Sequence, residues 1–241
     1  MISVDTVYQK VLALANKEQR GYITPQEFHL LADKAQMDIF ESYFHDMKTA
    51  YHKQKNNTNF SDELEIIEEK LHGFYTEDSV AVGQEFDPGS ITYAFLELPP
   101  SVYRLKNVLT QRYHTIEEVT EKEYHFIKNN PLTSPTSIRP IYIRHKKLSL
   151  KIYPFPFEEP QNYIITYWRR PISPNWPYVI VNEKPLYNSN PNLVINFELH
   201  ASEEEFLVTR ILQLAGVTIK KPDIVEIAMT DNAQIKQEQN N

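Results

Sequence analysis

Cysteine is absent from this sequence, and glycine is scarce, with 5 in 241 residues. The first absence excludes disulfides, thiol nucleophiles and Cys-ligated zinc, and makes a reducing compartment the simple expectation. The glycines (Gly21, Gly73, Gly83, Gly89, Gly216) are too scattered to form a phosphate-cradling or dinucleotide loop. No apolar run approaches the ~18 residues that a membrane span needs. Met1-Ile2-Ser3-Val4-Asp5 lacks a basic region followed by an apolar core, so no secretory leader is expected. Positive charge is also short: 25 Lys and Arg against 32 Asp and Glu leave a formal charge of -7. That balance argues against tight wrapping of nucleic acid, which needs a basic face, but lets DNA pass nearby without sticking.

Catalytic signatures are missing as well. There is no His-Glu-x-x-His, no Gly-x-Ser-x-Gly and no EF-hand spacing, and the eight histidines sit singly. His45-Asp46 has the form of an oriented base, but its helical setting reads as a solvated face. A Ser/His/Asp triad drawn from distant positions is recognised by geometry rather than spacing, so that possibility stays open. Glu63, Glu65, Glu68 and Glu69, beside Leu64 and Ile67, form the wet side of an amphipathic helix. Asn59-Phe60-Ser61 matches a glycosylation acceptor, which has no meaning without a secretory signal.

What the chain has in quantity is aromatic and stiff: 15 Tyr, 12 Phe and 16 Pro, pointing to a β-rich part with rigid loops. Its organising stretch is Tyr22-Ile23-Thr24-Pro25-Gln26-Glu27-Phe28. Thr24 can cap a helix, Pro25 suits the first helical position, and Glu27 can reach back to close a capping box. From there to about Tyr51 no Gly or Pro intervenes, so roughly 40 Å of helix is expected at about 1.5 Å per residue. Phe28, Ala32, Ala35, Ile39, Tyr43, Met47 and Ala50 make one apolar stripe, widened by Phe40, Phe44 and Tyr51. A first helix over Val4–Gln19 precedes it and a shorter one over Asp62–His72 follows.

Residues 75–90 mix Gly, Asp, Pro and small apolar types and read as a loop. Period-two patterning then predicts strands over 91–96, 102–109, 141–144, 148–153, 163–168 and 178–181. Leu193, Ile195, Phe197 and Leu199 alternate cleanly and are expected to complete the sheet. Thr120 and Glu123 predict a capped short helix to Lys128, and Ser202 with Glu205 predicts another capping box, on a helix ending at Gly216. A last helix is expected from Pro222, with Ile224 and Ile227 inward, before a polar tail that frays. The pattern predicts an α+β fold: a helical bundle from the N- and C-terminal helices, with an antiparallel β domain inserted. Its parts are 1–74, the insert 75–200, and 201–241 packing back on the bundle.

Two stretches suit partners. The loop from Pro171 to Tyr178 presents Trp176 among three prolines, fit either for an interface anchor or for folding back over the sheet. The tail from Thr230, which includes Ile235, either orders against a neighbouring subunit or forms a disordered end.

A family resemblance adds to these readings. Leu12 to Phe28, running on through Ala35-Gln36-Met37-Asp38-Ile39-Phe40-Glu41-Ser42-Tyr43-Phe44, resembles structural proteins of crAss-like and related marine podoviruses. Leu98-Pro99-Pro100 with Tyr103-Arg104-Leu105, then Leu150 to Pro156, Tyr163 to Pro171, and Ile195 to Gly216 are similar to head-to-tail adaptor (connector ring) proteins of short-tailed phages. The resemblance implies a virion structural protein with no catalytic, cofactor or metal residue. It implies a homomeric ring, commonly a dodecamer, under the portal protein and above the next tail protein, at the capsid–tail neck and assembled in the bacterial cytoplasm. Genomic DNA would pass through its lumen without specific binding. The interface candidates are Phe28, Phe40, Phe44, Tyr51, Trp176, Ile224 and Ile235. The alternatives are a more distal neck or tail ring protein, and a tail-associated hydrolytic domain. Against the last, Glu97 and Glu198 are the few strand carboxylates and are unpaired in sequence.

Overall fold

In a computed structural model of the protein, the described residues are 1–17, 23–52, 58–83, 93–154 and 162–218. The chain divides into two compact units: 1–73 with 171–241, and 74–170. The expected middle part is 75–200, and the second compact unit is 74–170.

The first unit carries α1 (Val4–Lys17), α2 (Pro25–His52) and α3 (Thr58–His72) from the N-terminal part of the chain. The start of α2 is the predicted one. Glu27 N donates to Thr24 Oγ1 at 3.2 Å, and Thr24 N donates back to Glu27 Oε2 at 2.9 Å.

The second unit is a strongly bent sheet. It contains β1 (Tyr75–Gly83), β2 (Ala94–Glu97), β3 (Val102–Thr110), β4 (Glu117–Glu118), α4 (Glu121–Lys128), β5 (Ile141–Lys146), β6 (Ser149–Tyr153) and β7 (Asn162–Arg169). The order is β3-β7-β1-β2-β6-β5-β4. β1 pairs first with β7 and then, at Val82 and Gly83, with β2, so one strand turns the corner. The edges nearly meet: Leu109 of β3 bridges Thr115, and Ile116 N, immediately before β4, donates to Val108 O at 2.9 Å. Inside lie Leu96, Leu105, Val108, Leu150, Ile152 and Ile165. Outside, α4 lays Tyr124 on Ile141, Ile143 and Tyr153. Its predicted capping box, Thr120 with Glu123, is present.

The C-terminal part of the first unit adds the hairpin β8 (Tyr178–Val181) and β9 (Lys184–Tyr187), then α5 (Glu204–Thr218), which packs with α1 and α2. Asn182 and Glu183, both at positive φ, form a hairpin turn whose twist matches its strands.

Several expectations are corrected here. A helical bundle with an inserted antiparallel β domain is not the architecture. The fold is mixed, with five α-helices among the described residues and a sheet-dominated core, a nearly closed seven-stranded sheet. Nor is it purely antiparallel, since β4 and β5 run parallel. Residues 75–83 are a strand, not a loop. Its half-buried positions, Thr76, Asp78, Val80 and Val82, alternate correctly, but two are polar, which hid the pattern. Residues 193–199 do not join the sheet. They make single bridges within the first unit, Asn175↔Ile195 and Ile2↔Phe197. The Ser202–Glu205 box is replaced by a 3₁₀ turn, Ala201–Glu203, capped by the His200 side chain, and α5 runs past Gly216. The predicted last helix and the tail lie outside the described residues.

Candidate interaction surfaces

The aromatic width of α2 is used inside the first unit. Phe28, Phe40 and Phe44 are buried, with Phe40 and Phe44 edge to face at 5.1 Å between ring centroids. Trp176 is 2% exposed and takes neither predicted position. Its ring lies 4.3 Å from that of Tyr8 on α1, which in turn lies 4.6 Å from Phe28. Its indole N–H donates to Asp5 Oδ1 at 2.8 Å, and its backbone N–H donates to His29 Nε2 at 3.0 Å. Four of the seven interface candidates are thus covered by their own chain. Tyr51 falls near the end of α2 with its side chain outside the described residues, as are Ile224 and Ile235.

The surface left open is aliphatic. Tyr178 and Tyr187, paired across β8–β9, stack on Trp176 at the base of the hairpin. Alternation places Val179, Val181 and Leu186 on the opposite face, all exposed, and Ile180 at 71% exposure near the tip. A two-stranded ribbon is marginal in water without a packed face; here the stack on Trp176 supplies one, and the aliphatic face stays exposed. Its sequence signal was Val179-Ile180-Val181: consecutive aliphatic residues do not alternate, so both faces carry them. The second unit has a separate display, Phe126 on α4 with Leu132 and Ile138 at 92% and 94% exposure. Ile138 sits on a turn closed by two bonds between Thr136 and Arg139, so the loop is held by its own backbone.

Polar chemistry is largely committed to structure. Asp38 receives Arg210 Nε and Nη2, at 3.0 and 2.5 Å. Gln36, wholly buried, donates to Ile172 O at 2.8 Å and accepts from Glu198 N at 3.1 Å. Lys70 and Glu203 form a nearly buried 2.6 Å ion pair, with Lys70 Nζ 5.9 Å from the Tyr43 ring centroid. Burial, and then the charges of Glu203 and Asp46, push the Tyr43 phenol up, which keeps it neutral. In the barrel, Tyr167 donates to Asp78 Oδ2 at 2.6 Å and shares a 2.9 Å bond with Ser101. Burial and that carboxylate raise Tyr167, making it a poor base toward Ser101. Glu118 accepts from Arg144 Nε and Nη2 and from Tyr142. Burial opposes its ionisation, but those bonds hold the carboxyl below its usual range. His45 and Asp46 lie on α2, where His45 is exposed. Among the described residues no three His, Asp or Glu side chains gather to hold a metal ion, and no helix is long and apolar enough to cross a membrane.

Comparison of the sequence with known protein families and with curated proteins gives no match.

Proposed function

We propose that the protein is a non-enzymatic virion component, the head-to-tail adaptor that forms a homomeric ring beneath the portal and encloses a path for DNA. The observation that carries this reading is the β8–β9 hairpin, a tight ribbon displaying Val179, Ile180, Val181 and Leu186 to water. Such a ribbon gains most from a neighbouring copy: a contact between unlike patches, repeated around an axis, closes into a ring. The committed polar groups described above support an assembly role, as does the sequence resemblance of the N-terminal stretch.

Native mass spectrometry with and without the portal protein tests the assembly. A closed oligomer is expected, and replacing Val179 and Leu186 together by Asp is expected to leave monomers with unchanged circular dichroism. A strict monomer of the unaltered chain under both conditions overturns the ring.

A further inference from the structure

Charge is divided unevenly between the two units. Residues 74–170 hold 12 Lys and Arg against 11 Asp and Glu, while the rest of the chain holds 13 against 21. The net charge of -7 is thus the sum of about -8 in one unit and +1 in the other. Within the barrel the cations gather further. The pairings Lys146↔Ser149, Glu97↔Ser149 and Val102↔Arg169, with Leu98 N donating to Leu148 O at 2.8 Å, put three segments at one end: the β5–β6 turn, the β2–β3 connection and the last residues of β7. Lys106, Lys146 and Lys147 belong to that end, all exposed. Lys106 is braced on two rings, 5.2 Å from the Tyr75 centroid and 5.4 Å from that of Trp168.

The acids nearby do not cancel this. Glu118 is taken by Arg144, Asp78 by the Tyr167 hydroxyl and Glu77 by the Tyr113 hydroxyl at 3.3 Å, which leaves Glu97 as the exposed carboxylate beside the turn. Among the described residues, Lys146 and Lys147 form no ion pair. The aliphatic display of Phe126, Leu132 and Ile138 belongs with the other end, where α4 packs beside Ile141 and Tyr153. Protein interfaces are depleted in Lys and centre on apolar anchors. Lysines beside aromatic rings, with no aliphatic anchor among them, match a phosphate backbone instead.

We propose that this basic end of the barrel contacts the phosphates of duplex DNA, weakly and without reading sequence. The inference rests on the conduit reading for the presence of DNA and deepens it by assigning the surface that meets it. The net charge of -7 on the whole chain keeps the contact weak, so that DNA is guided without being held.

Fluorescence anisotropy of a labelled duplex of arbitrary sequence, titrated with the full chain at stepwise increasing salt, tests it. The expected dissociation constant at moderate salt lies in the roughly 10⁻⁴–10⁻⁶ M range of non-specific binding and weakens steeply with salt. Lys146→Glu with Lys147→Glu is expected to weaken binding at least about tenfold and flatten the salt slope by about two phosphate contacts. Lys34→Glu, on the exposed side of α2, is expected to leave it unchanged. Both sites are exposed, and circular dichroism verifies the fold of each variant. Absence of binding by the unaltered chain at low salt overturns the proposal, as does an equal loss in Lys34→Glu. It is also overturned if the double variant binds DNA normally but changes the oligomer mass, because the turn then meets an acidic protein surface. A monomer that still binds duplex through the turn keeps this inference while removing the ring.

Discussion

The two units use opposite means to hold themselves together. The helical unit is assembled from the two ends of the chain, and bonds between distant residues join them. Asp5 meets Trp176, Gln36 meets Ile172 and Glu198, Asp38 meets Arg210, and Lys10 meets Glu204. The barrel is one continuous stretch held by backbone ladders around an apolar interior. The 97 residues of the second unit would cost the first about 4 kcal/mol of closure entropy if they were a flexible loop. The barrel reduces that cost by folding, because it brings its own ends together: Arg169 N donates to Phe74 O at 2.9 Å, and Tyr75 pairs with Trp168. Specific side chains are needed where the halves are far apart in sequence. Ladder geometry suffices where neighbours are strands of one sheet.

The sharpest way to break this comparison is Trp176→Ala. It removes a buried ring and leaves the Asp5 carboxylate without its indole partner, at an expected cost of about 3–5 kcal/mol confined to the helical unit. The two tryptophans fall one in each unit, Trp168 and Trp176, so single Trp→Phe variants give each unit its own fluorescence. Retained Trp168 emission during early loss of helical signal is the expected result, and simultaneous melting would show the units to be one cooperative body.

A smaller effect separates the units by pH. Burial pushes Tyr153 and Tyr163 of the barrel up to about 12, and raises Tyr142 and Tyr167 as well, whereas Tyr43 is the corresponding group in the described helical unit. A raised folded-state value means the neutral phenol is favoured by folding. That stability is complete below the unfolded value near 10 and is lost as pH rises toward about 12. The barrel is expected to unfold first under alkali, read from tyrosinate absorbance alongside Trp168 emission. Prior loss of the Trp176 signal would reverse the ranking.

The smallest effect should be equal in the two. Thr24→Ala and Thr120→Ala each remove an exposed capping box and should each cost about 0.5–2 kcal/mol, seen as a lowered melting temperature. A larger loss at one would show that its helix end also serves tertiary packing.

These two caps were legible because all their parts lie within four residues, as were α2, α4 and the β5–β6 hairpin, whose signals are local. The position of Trp176 was not legible. Its proline-flanked loop announces a rigid element, but the aromatic and carboxylate partners that bury it lie about 150–170 residues earlier in the chain. Strand β1 was missed because an inward Asp78 looks like a loop residue until Tyr167, which satisfies it, is placed opposite. The open aliphatic hairpin was half legible: the run was read as a strand, but not its exposure, which depends on what fails to pack against it.

By itself, then, the sequence determined where α2 and α4 begin and which of their faces are apolar. Hydrogen bonds and periodicities within a few residues decide those matters. Tertiary structure alone decided that the strands of 74–170 curl into a nearly closed sheet, that the broad aromatic face of α2 is used up internally, and that cations gather at one end of an otherwise acidic chain. Each depends on which distant segments become neighbours, and burial and charge segregation acquire meaning only once that is settled.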